Sequence, residues 1–93
     1  MSDSFEAIRA EALFVSSLQR SEVPDPEQVR RAVATTLRRN GIRGCATRVA
    51  GEFGDHPDLA VPRMRWALEM IRAVYPHHPA PAPRPARELA LAS

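Results

Sequence analysis

Apolar residues recur along this chain at helical spacing, with no stretch of strict alternation long enough for a strand. Phe5, Ile8, Ala12, Val15 and Leu18 fall three or four residues apart and predict a first helix, capped near Asp3 or Ser4. Glu11 lies beside that face and is expected to meet an arginine if it is covered. Ser21-Glu22-Val23-Pro24 ends the helical stretch, because the residue before a proline is pushed out of the helical region. Asp25-Pro26-Glu27-Gln28 then reads as a helix start: an aspartate cap, proline at the first helical position and glutamine closing a capping box. Val29, Val33 and Leu37 form the apolar stripe of this second helix, and Asn40-Gly41 is its expected end. A short third helix is predicted after Gly44, with Cys45, Val49 and Phe53 on one face and Gly54 as its stop.

The last helix is predicted to reach about Tyr75, either starting near Pro62 after a short turn from Pro57 to Ala60, or running as one kinked helix. Met64, Ala67, Leu68, Ile71, Val74 and Tyr75 give it one core face. Trp66, Met70 and Ala73 make a second apolar strip, and only Arg65, Glu69 and Arg72 form a clearly polar edge. A helix that is apolar nearly all round is either central in its fold or covered by something else. From Pro76 the chain reads PHHPAPAPRPARELALAS, in which alternating prolines favour an extended, unpacked tail. The expectation is an all-α fold: one helical domain over 1–75, a small bundle of three to four helices with a helix-turn-helix-like arrangement. A disordered Pro-rich C-terminal tail occupies 76–93.

At 93 residues the chain is long enough for one small domain. No apolar run approaches the ~20 residues of a membrane span. The acidic, amphipathic N-terminus does not read as a secretory signal, and the single cysteine, Cys45, cannot form an internal disulfide. A cytoplasmic location is the expectation. All 13 basic residues are arginine, and the net charge is only +2. The distribution says more than the sum. Asp3, Glu6, Glu11, Glu22, Asp25 and Glu27 crowd the first segment, whereas Arg30, Arg31, Arg38, Arg39, Arg43 and Arg48 follow with no acid until Glu52.

Catalytic chemistry is not legible. His56, His77 and His78 have no fixed nucleophile beside them, and neither Cys45 nor Ser16 has a base at a usable spacing. No set of four ligands suggests a structural metal, and no lysine follows the glycines to make a phosphate loop. The expectation is a protein that is not an enzyme, with no cofactor, no small-molecule substrate and no membrane partner.

Residues 44–68 resemble a helix-turn-helix of the sigma-factor region-4 type. Ala50 and Gly54 have the spacing of that motif's small residue and turn glycine. Val49 and Phe53 flank them, and Arg63-Met64-Arg65-Trp66-Ala67 looks like the second half of that helix-turn-helix. Asp55, Asp58 and Pro62 depart from the pattern. Arg-Gly-Cys-Ala, Glu-Phe-Gly-Asp-His-Pro and Arg-Met-x-Trp-Ala also resemble a signature of small actinobacterial helical proteins, over roughly residues 5 to 75. That resemblance implies a lineage and no mechanism.

Two functions remain. The first is a small regulatory protein-interaction module. It docks on another protein, or on a second copy as a homodimer, through the last helix. Trp66, Met70 and Ala73 are its anchors, and the arginines of the second helix meet an acidic partner. The alternative is a DNA-binding transcriptional regulator using residues 44–68. In it Arg63 and Arg65 face the groove, and Arg43 and Arg48, with Arg30, Arg31, Arg38 and Arg39 in the same basic patch, lie toward phosphate.

Overall fold

A computed structural model describes residues 4–76; the Pro-rich segment beyond Pro76 lies outside the described residues. The fold is all-α. Helix α1 (Ser4–Val15) is followed by a 3-10 turn (Arg20–Glu22), then α2 (Pro26–Asp55) and α3 (Pro57–Val74). The three helices all pack on one another around a single cluster that includes Leu13, Val29, Cys45 and Ile71.

The start of α2 follows from local chemistry. Gln28 N–H donates to Asp25 Oδ1 at 2.8 Å, and Asp25 N–H donates to Gln28 Oε1 at 2.8 Å, the reciprocal box expected from the sequence. The expected stop at Gly41 is a break rather than an end. Gly41 has φ 72° and ψ 168°, and helix resumes at once on its far side instead of after Gly44. That backbone region is almost exclusive to glycine. α2 therefore comprises two helical halves, 26–40 and 42–55, that change direction at one residue.

His56 alone separates α2 from α3. Its N–H donates to the Glu52 carbonyl at 2.7 Å, and its own carbonyl accepts from Leu59 and Ala60 N–H. One residue thus closes the first helix and opens the second. Pro57 occupies the first position of α3, where a missing N–H is harmless. Pro62 sits inside α3, which runs through it as one helix from Pro57 to Val74. Pro62 and Asp58 are both exposed, so water can satisfy the Asp58 carbonyl that loses its partner.

The face of α1 differs from the expected stripe. Ala10, Ala12, Leu13 and Phe14 are buried, whereas Phe5 is exposed. The helix also stops at Val15, before Leu18. α1 is antiparallel to α3: Glu6, near its start, pairs with Arg72 at 3.0 Å, and its last carbonyls meet Arg63. The Phe14 ring stacks on Phe53 with centroids 6.0 Å apart, which joins the end of α1 to the end of α2. No arginine comes within ion-pair distance of the half-buried Glu11 among the described residues.

Candidate functional site: an arginine-lined cleft

Several expected site residues are consumed by the fold. Arg63 is the clearest correction. Its Nε donates to the Phe14 carbonyl at 3.1 Å, and its Nη2 donates to the carbonyls of Leu13 at 3.3 Å and Ser16 at 3.0 Å. The last carbonyls of a helix have no intrahelical donors, and the forked guanidinium supplies them from another helix. The same group lies 4.9 Å from the Trp66 ring centroid and 6.0 Å from that of Phe14. Burial lowers the Arg63 pKa from its ordinary value, but a guanidinium stays charged at neutral pH. Arg63 is therefore a cap for α1, not a free cation facing a ligand.

Trp66 is the second correction. Only 6% of its surface is exposed, so it is part of the core and not an exposed anchor. Met70 is half-buried against that core, and Ala73 alone of the expected strip is exposed. The large apolar side chains exposed on α3 are Leu59 and Val61, near its start. The small residues assigned to the helix-turn-helix also stand in unexpected places. Ala50 is exposed, and a side-chain carbon built on Gly54 would meet nothing within 4 Å. Neither residue makes the close helix approach that the motif needs of it.

Cys45 is buried, with 1% of its surface exposed. Burial first, and then the Glu11 carboxylate, push its thiol pKa up, while Arg48 pulls it down. The net rise keeps the neutral thiol at physiological pH, the form that packs and does not attack.

The remaining arginines divide by their partners. Arg30 is held by Glu27 at 3.2 Å, one helical turn away, and Arg38 donates to the Thr35 hydroxyl at 3.4 Å. Arg43 and Arg65 are exposed, on α2 and α3 respectively. Arg31, Arg39 and Arg48 come together. They line one cleft of about 550 Å³ between the end of α1 and both halves of α2. Arg31 and Arg39 share a flank of the first half with Thr35, at four-residue spacing. Arg48 reaches the same cleft from beyond the Gly41 break.

Among the described residues no carboxylate lines the cleft, and its other polar wall is made by side chains such as Gln28, Ser17 and Asn40. Arg31 has a loose contact with Glu27 at 3.9 Å. Arg39 and Arg48 make no ion pair or side-chain hydrogen bond among the described residues. Three positive charges in a concave wall attract an anionic group, and converging guanidinium forks suit carboxylate or phosphoryl oxygens. Of the hydroxyl and amide residues of this wall, Gln28, Asn40 and Ser16 stand out in the sequence only as a cap, a helix end and a nucleophile without a base, and Ser17, Thr35 and Thr36 carry no signal of their own there. The Arg31-Thr35-Arg39 spacing was a visible sign of part of it. Among the described residues no group of His, Cys, Asp and Glu side chains is arranged to hold a metal ion. No described helix is long and apolar enough to cross a membrane.

No protein-family model matches the chain, and no characterised protein or solved structure does either.

Proposed function

We propose that this protein is a non-catalytic regulatory interaction module that docks an acidic segment of a partner protein in the arginine-lined cleft. One observation carries the proposal: Arg31, Arg39 and Arg48 line a single cleft whose wall, among the described residues, holds no carboxylate. The docking surface moves from the Trp66 side of the last helix to the junction of α1 and α2, because Trp66 is already covered. The helix-two arginines keep the role of meeting an acidic partner. Such charges govern encounter rate and partner choice more than total affinity.

The acidic-protein reading is favoured over the DNA reading by the state of α3. Arg63, the residue best placed to read a groove, is spent on the carbonyls of α1. Asp55 and Asp58 are exposed around the start of α3, where they would repel phosphates.

The test is a titration of a fluorescein-labelled oligoglutamate, followed by anisotropy at low salt and by amide shifts. The expected result is binding that shifts the amides of Arg31, Thr35, Arg39 and Arg48. The Arg39→Glu, Arg48→Glu double variant abolishes it, and Arg65→Glu, outside the cleft, leaves it within about twofold. Equal losses in both variants would mean diffuse charge attraction and overturn the proposal. Preference of the same arginines for duplex DNA over oligoglutamate would replace it with the nucleic-acid reading.

A further inference from the structure

On the other side of Arg48 from the arginine cleft lies an adjoining recess of about 340 Å³, between the ends of α1 and α2 and the start of α3. Val15, Ser16 and Arg48 belong to both walls, so the two recesses adjoin as the limbs of one trough, meeting at these residues. The chemistry changes along it. The first limb carries Arg31 and Arg39. The second carries Phe14, Leu59 and Ala60, with Glu52 at its wall. Leu59 is 65% exposed at this limb, although it is a large apolar side chain on a well-formed helix. Arg63 also borders the second limb; its Nε and Nη2 are engaged by the carbonyls of Leu13, Phe14 and Ser16, and its charge stands in the same wall as the Glu52 carboxylate.

We infer that the acidic partner is an amphipathic peptide segment: an acidic run over Arg31 and Arg39, followed across Arg48 by one apolar anchor side chain that covers Leu59. This rests on the acidic-docking reading above and adds to it the partner's second feature and its direction. Charge complementarity selects acid over the first limb. In the second the Glu52 carboxylate offsets part of the positive charge of Arg48 and Arg63, so the acidic run is favoured over the first limb, whose wall holds no carboxylate among the described residues. Phe14 and Ala60 are already buried, so the exposed Leu59 is the surface against which an apolar side chain gains by leaving water. The two limbs meet at Arg48, so a single extended or helical segment engages both.

Three labelled peptides test this. One has a glutamate run, a short Gly-Ser spacer and a terminal phenylalanine. The second has serine in place of phenylalanine. The third is a plain oligoglutamate. Burial of the ring predicts that the first peptide binds about tenfold tighter than the other two. Leu59→Ser removes that tenfold and leaves oligoglutamate binding unchanged. Leu59 is exposed, so the variant keeps its fold, which thermal unfolding checks. Arg39→Glu with Arg48→Glu abolishes binding of all three.

If phenylalanine adds nothing while all three peptides still need the arginines, the anchor is overturned and acidic docking stands. If phenylalanine tightens binding but Leu59→Ser does not weaken it, the anchor sits elsewhere and the inference also fails. If no peptide binds, both readings fall together.

Discussion

At the scale of single residues, Arg63 shows how chemistry suited to a ligand is turned inward. Its three hydrogen bonds end on the carbonyls of Leu13 and Phe14 in the last turn of α1 and of Ser16 just beyond it; Leu13 O also accepts from Ser16, whereas Phe14 O and Ser16 O have Arg63 as their donor. A charged donor at the end of a helix also complements the negative pole of the helix dipole. Arg63→Met keeps the aliphatic packing but strands the Phe14 and Ser16 carbonyls. The expected cost is about 2–4 kcal/mol in urea unfolding. Arg63→Lys should recover only part of it, since an ammonium cannot fork across three acceptors. A loss below about 0.5 kcal/mol for Arg63→Met would show the cap to be unimportant. Val23 is the opposite kind of residue. It has φ 47° and is 83% exposed, so a β-branched side chain occupies the left-handed region without burial. The surrounding turn holds it: Gln19 N–H donates to Glu22 Oε1 at 2.6 Å, and the chain then enters the Asp25 box. Nothing in the structure explains why valine stands there.

At the scale of elements, the Gly41 break decides the shape of the site. The helix-forming signals on either side are strong, since the Asp25 box starts one half and the Cys45, Val49 and Phe53 stripe packs the other. A single residue at φ 72° and ψ 168° redirects the chain between them. There is open space around its α-carbon, so the constraint comes from backbone conformation and not from crowding. Gly41→Ala is expected to cost about 1–3 kcal/mol, or to straighten α2 if continuous helix is cheaper. Either result moves Arg48 or weakens its support, so oligoglutamate affinity should fall in step with stability. Unchanged stability and unchanged affinity would show that the break is incidental. The join between α2 and α3 is less sensitive to residue type, because His56 contributes only backbone hydrogen bonds to it.

At the scale of the whole molecule, a small core carries everything. Leu13 has 0% exposure and lies where the three helices meet. Leu13→Ala is expected to cost about 3–5 kcal/mol, since the removed side chain leaves a cavity as well as losing burial. A domain of this size has roughly 3–5 kcal/mol in total. The variant should therefore be largely unfolded at room temperature by circular dichroism. A folded variant with a modest shift would mean that the helices collapse into the gap. The docking trough depends on the same core, because its walls come from all three helices.

Local signals were enough to place much of this architecture. The Asp25-Pro26-Gln28 start, the punctuation at Gly41 and Pro57, and the apolar stripe of α3 each act within a turn or two of chain. Those are short-range effects of backbone geometry and periodic burial, so the sequence alone determined an all-α bundle and the start of α2, while the end of α1 at Val15 and the unbroken run of α3 through Pro62 were not fixed locally. The fate of individual side chains was decided elsewhere. Trp66 and Arg63 lie on parts of α3 that looked available until α1 and its following turn covered them. Conversely, Arg39 and Arg48 are nine positions apart with a break between them, and no periodicity predicts that they share a wall. Which cations are spent as caps and which stay free depends on long-range contacts, and in this protein only tertiary packing set those.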